Sequence, residues 1–275
     1  MLVYLNISQW TARKYDRKVS GEVAESHNAR GNVGKYYKVL LKSPSLDMFR
    51  RTSDAARNYH YDRTLPWNDG GVRILPVGIF MDYNHDMKEF RVTCEEFADE
   101  FIRIDYKRAR KDAVGDLGTM HNDMDYPKAE AVRRKFGFEI NYSPLPDAGD
   151  WRVDIDKKHI AALKKSLNEQ IMGVQERAMT DLWERVHRMV TKMHERLSDE
   201  DNIFRDSLVG NMRELTDLLP HLNISGDPRM NKLTTEIKLK LCGTEADALR
   251  TDGHVRAKTA KDADAILKTM SGFMK

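Results

Sequence analysis

Phe80, Tyr83, Met87, Phe90, Cys94, Phe97, Phe101 and Ile104 follow one another at intervals of 3, 4, 3, 4, 3, 4 and 3 residues. That is the a/d heptad of a helix burying one narrow seam along its whole length. Pro76 suits a first helical turn, where a missing N–H costs nothing, and Gly115 suits the end, so the spacing predicts a helix over 77–114. Such a helix is about 57 Å long and needs an equally long partner.

The chain offers one. Ile160, Leu163, Leu167, Ile171, Val174, Ala178, Leu182, Val186, Val190, Met193 and Leu197 recur every three or four residues, which predicts a helix over 157–197 with Asp156 as its cap. Between the two, Phe136, Phe138, Ile140 and Tyr142 alternate with other residues, and after PLPDAGD so do Trp151, Val153 and Ile155. Two alternating runs around a Pro/Asp/Gly loop predict a β-hairpin, which lets the long helices return past one another as an antiparallel pair. The expected fold is mainly α (α+β): a long antiparallel helical hairpin with coiled-coil character, a small antiparallel sheet at one end, and additional short helices. One elongated domain over 1–275 is expected, with a basic strand-helix segment at 1–75, the helix, hairpin and helix at 76–200, and C-terminal helices at 201–275.

Residues 2–7, rich in β-formers, predict a strand able to join the hairpin. With Ser8 as cap, a helix is expected from Gln9 through Val23. It would turn Ala12, Tyr15, Val19 and Val23 inward and set Trp10, Arg13, Lys14, Arg17 and Lys18 on the opposite face. A second helix is expected over 32–42 and a third over about 46–64, with a turn through WNDGG. Residues 116–127 read as a loop. Helices follow over about 203–219, 228–242, where Asp227 and Pro228 form a cap and first turn, and 259–272, with 243–258 the least structured stretch.

The net charge of +3 is uneven: residues 1–75 hold thirteen Lys/Arg against seven Asp/Glu, whereas 116–156 hold five against nine. The basic end is the better match to an anionic partner. The basic helix face, with Trp10 to stack on a base, predicts nucleic-acid binding by Trp10, Arg13, Lys14, Arg17 and Lys18, although a charge stripe is also the ordinary outer face of a helix. Tyr59, His60, Tyr61 and Trp67 form the densest aromatic cluster, which could anchor a partner or pack where two helices turn.

No catalytic constellation accompanies these surfaces. Phosphate-loop and dinucleotide-binding motifs are absent, and the one E-x-x-H, Glu184 with His187, lacks the second copy a di-iron bundle needs. His121, Asp123 and Asp125 are acidic enough to attract a hard cation but lack the Gly and Glu of a calcium loop. Cys94 and Cys242 are far apart, and Cys94 reads as a small core hydrophobe. A non-enzyme without metal or cofactor is expected. The apolar runs are too short for a membrane span and the amino terminus does not read as a signal peptide, so a cytoplasmic address is expected. An uncovered apolar strip on long helices would favour a homo-oligomer.

The stretches ISQWTARKYDRKV, YHYDRTLPWNDGGVRILPVGIFMDY, the F-x-F-x-I run with PLPDAGDWRVD, and LNISGDPR resemble a family of uncharacterised proteins encoded by tailed bacteriophages and prophages. The resemblance spans residues 7–229 and implies an accessory protein of the host cytoplasm, with no functional residues to carry over. Two functions are therefore expected in competition: nucleic-acid binding in phage replication or recombination, and a protein-interaction module that engages a host or phage protein through a helical arm.

Overall fold

A computed structural model describes residues 1–30, 33–146, 157–199 and 201–273, with side chains omitted for 157–163. In order, the chain forms β1 (Leu2–Ser8), β2 (Arg13–Tyr15), α1 (Arg17–Ser26), β3 (Tyr37–Val39), α2 (Pro44–Arg63), β4 (Leu65–Pro66), β5 (Val72–Ile74), α3 (Phe80–Glu100), a π turn (Phe101–Asp105) and α4 (Tyr106–Leu117). It continues with α5 (Ala129–Arg133), β6 (Gly137–Ser143), α6 (Lys157–Ser198), α7 (Ser207–Leu222), α8 (Pro228–Lys240), α9 (Ala246–Thr251) and α10 (Gly253–Ser271). The protein is mainly helical with a small antiparallel sheet of order β4-β5-β1-β6 and a separate β2-β3 pair. Among the described residues no helix is long and apolar enough to cross a membrane.

The chain divides into two compact units, one of Met1–Tyr4, His60–Tyr83 and Asn141–Lys275, the other of Leu5–Tyr59 and Asn84–Ile140. In the first, α6 buries Val174, Ala178, Leu182, Val186, Val190, Met193 and Leu197, the seam its periodicity predicts. The seam packs in one core with Ala260, Ala263, Ile266 and Met270 of α10 and with apolar residues of α7 and α8. Here α6 takes α10 as its long companion, and the pairing of 77–114 with 157–197 is a feature of neither unit. The stretch 243–258, expected to be the least structured, forms α9 and the start of α10. Asp252 caps α10 by accepting from the His254 and Val255 N–H groups. Arg256, only 7% exposed, donates to the carbonyls of Arg196, Leu197, Asp199 and Asn202. Those are carbonyls at and beyond the end of α6, which no intrahelical donor can reach, and a cation there also meets the negative end of the helix dipole.

In the second unit α3 and α4 keep Met87, Cys94 and Phe101 buried as the heptad requires, but Ile104 is 52% exposed. The π turn explains the break. One extra residue in the turn rotates all that follows by about 100°, so Asp105, Tyr106, Ala109, Ala113 and Leu117 face inward instead. The buried Asp105 carboxylate accepts from Ser43 Oγ and Ser45 Oγ, each at 2.7 Å, and from Arg108, tying α4 to the start of α2.

The amino-terminal segment departs furthest from expectation. Trp10 and Ala12 are both buried, whereas a helix would point them about 200° apart. Ala12 has a positive φ of 51°, which breaks a helix. The chain instead forms β2, paired with β3 so that Lys14 faces Lys38, and β3 stands within the 32–42 stretch expected as a helix. Helix α1 starts only at Arg17, where Asp16 accepts from the Lys18 and Val19 N–H groups. The predicted strand at 2–7 is β1, and the first arm of the hairpin is β6 beside it. Trp151, Val153, Ile155 and the Asp156 cap lie outside the described residues.

Candidate functional site

The residues expected to bind nucleic acid do not share a face. Trp10 is 6% exposed and packs its ring against Phe101 and Tyr106, with centroids 6.1 and 5.7 Å away, so it offers no platform to a base. Lys14 pairs with Asp125 at 2.8 Å. Arg13 lies on β2, and Arg17 and Lys18 open α1. Asp125, expected as a cation-attracting residue, takes its cations from the chain: besides Lys14 it binds Lys38 at 2.8 Å, and Lys38 also reaches Asp16 and the Met120 carbonyl. Burial alone would raise the Asp125 carboxyl, but the two ammonium groups outweigh it and hold it below its ordinary range.

Of Tyr59, His60, Tyr61 and Trp67, the structure brings His60 and Tyr61 into ring contact, with centroids 5.5 Å apart. Tyr59 donates to Asp86 and lies against Phe90. His60 is buried and joins Tyr83 Oη through Nδ1 at 2.6 Å; desolvation, with Arg73 nearby, lowers its pKa to about 4. Tyr61 is half exposed under the Arg73 guanidinium, and Trp67 packs on the core of the first unit.

The first unit holds a groove that sequence reasoning missed. Asp62, Arg185, Arg188, Met189, Lys192, Asn211, Glu214, Leu215 and Leu218 line a cavity of about 300 Å³. A second, of about 270 Å³, shares Met189, Lys192 and Asn211 with it and adds Arg196, Ile203, Phe204, Arg205, Ser207 and Leu208. The two form one groove between α6 and α7. Its α6 wall carries Arg185, Arg188, Lys192 and Arg196 at helical spacing, and its floor is apolar, from Met189, Leu215, Leu218 and Leu208.

Charge is graded along it. At one end Arg185 is committed to structure, donating to the carbonyls of Tyr61 and Thr64 where α2 finishes and pairing with Asp181 at 2.6 Å. Arg63 pairs there with Glu214, and burial together with Glu214 raises the Asp62 carboxyl. At the other end no carboxylate lines the groove among the described residues. Arg188, Lys192, Arg196 and Arg205 are exposed and form no ion pair with the described residues. The periodic cations were visible as E-R-V-H-R-M-V-T-K-M-H-E-R, but only the packing of α7 beside α6 turns them into one wall of a cleft. No family model matches the chain, and no curated protein and no solved structure is similar to it.

Proposed function

We propose that this protein is a non-catalytic nucleic-acid-binding accessory and that the α6–α7 groove carries the binding. The observation behind this reading is the set of Arg188, Lys192, Arg196 and Arg205, exposed cations without carboxylate partners among the described residues, lined along a concave surface. Unpaired cations at this density attract a polyanion, because each phosphate neutralised releases condensed counterions. Arg13 and Arg17 are exposed on the second unit, and the reading of the groove uses neither them nor Trp10. A phage setting in replication or recombination rests on the sequence resemblance, and the reading does not use the helical-hairpin arm. The interaction-module alternative would use the same groove for an acidic protein segment.

Fluorescence anisotropy with a labelled oligonucleotide tests the proposal. Arg188→Glu with Arg196→Glu should abolish binding while the circular dichroism spectrum is unchanged, since both side chains are exposed. Unchanged binding in that variant would refute it.

A further inference from the structure

Resting on the reading above, we infer that the groove is built for a single strand, with phosphates on the α6 wall and bases on the apolar floor. A lone α-helix about 10–12 Å across fits the roughly 12 Å major groove of a duplex. The cations of α6 sit where α7 packs alongside, and two packed helices with axes about 8–10 Å apart are too wide to enter. A duplex also hides its base faces, leaving Met189, Leu215 and Leu218 without an occupant. A single strand supplies both halves: charge for the wall and flat, weakly polar bases for the floor. Met189, Leu215 and Leu218 are half buried, and Ile203, 88% exposed, stands at the cationic end.

The wall sets a length. From Arg188 to Arg196 it extends about 12 Å at the helical rise, the span of about four nucleotides at about 3.4 Å each in a stacked strand. Four cations without ion-pair partners among the described residues set the salt dependence. With a slope of about −0.7 per phosphate for single strands, affinity should fall about 50-fold between about 50 and 200 mM salt, and only about sevenfold once two cations are removed.

The test uses the full chain with labelled oligothymidylates of three to twelve nucleotides and a twelve-base-pair duplex, by anisotropy at both salt concentrations. Affinity should rise to about four nucleotides and then level, and the twelve-nucleotide strand should bind about tenfold more tightly than the duplex, as one half-buried apolar contact would give. Lys192→Ala with Arg196→Ala should flatten the salt dependence. Met189→Ala should weaken single-strand binding and leave the salt slope unchanged, which a purely electrostatic surface would not do. Equal or tighter duplex binding, or affinity that climbs steadily to twelve nucleotides, would overturn the single-strand inference and leave the binding proposal standing. Binding to neither would overturn both.

Discussion

Lys38→Met offers the clearest check on how the second unit is held together. The Lys38 side chain is 7% exposed and its ammonium group meets Asp125 at 2.8 Å, Asp16 at 3.3 Å and the Met120 carbonyl at 2.6 Å. Removing one partner from a buried ion pair typically costs about 3–5 kcal/mol because the other charge is left desolvated. Asp125 would keep Lys14, and Asp16 would keep the N–H groups of α1, so the lower end, about 3 kcal/mol, is expected. Pairing Lys38→Met with Asp125→Asn should recover part of that loss, since the most buried carboxylate facing Lys38 is then neutral, while Asp16 keeps the N–H groups of α1 and Lys14 is half exposed. The pH dependence follows in sign. Asp125 and Asp16 are held below their ordinary values, so their stabilisation is present above about pH 4 and is lost as pH falls through the folded-state pKa. Burial lowers Lys38, but Asp125 and Asp16 more than offset it. Its share persists below about pH 10.4 and is lost as pH rises past the raised value. Urea unfolding followed by circular dichroism, repeated from acid to alkaline pH, measures both. A Lys38→Met protein within about 0.5 kcal/mol of the parent at neutral pH would refute the reasoning, since surface substitutions alone give that much.

Trp10→Ala should cost about 3–5 kcal/mol by emptying a core site, seen as a lower urea midpoint rather than a selective loss of single-strand binding. Asp105→Ala should cost about 3 kcal/mol by orphaning Ser43, Ser45 and Arg108, with Asp105→Asn recovering part of it in the same assay. Arg256→Ala should cost about 2–3 kcal/mol through the unsatisfied carbonyls beyond α6, and amide hydrogen exchange should quicken in the last turn of α6.

Much of this architecture is legible in the sequence where a single period runs long. The seam of α6 is correct from Val174 to Leu197 because nothing interrupts its 3.6-residue repeat, and α8 starts at Pro228 behind Asp227 as capping chemistry dictates. The heptad of α3 is correct to Phe101 and fails at Ile104, since a π turn leaves no mark on hydrophobic spacing. Short segments fared worse. Residues 9–23 carry a plausible amphipathic pattern, yet Trp10 and Ala12 are both claimed by the core and Lys14 and Lys38 by Asp125, so tertiary contacts override local propensity. The arginines that clamp helix ends, Arg185 and Arg256, read as ordinary surface charges until the carbonyls they serve are placed. The groove was hidden for the same reason: its wall is periodic in sequence, but its floor comes from α7.

Photo-crosslinking of a labelled single-stranded oligonucleotide, with the modified residues located by mass spectrometry, addresses the binding surface itself. Crosslinks should concentrate on residues 188–218 of α6 and α7, with Met189, Lys192 and Ile203 foremost, and should disappear in the Arg188→Glu, Arg196→Glu protein. Crosslinks confined to Arg13, Arg17 and their neighbours, with α6 and α7 unmodified, would contradict the assignment of the groove.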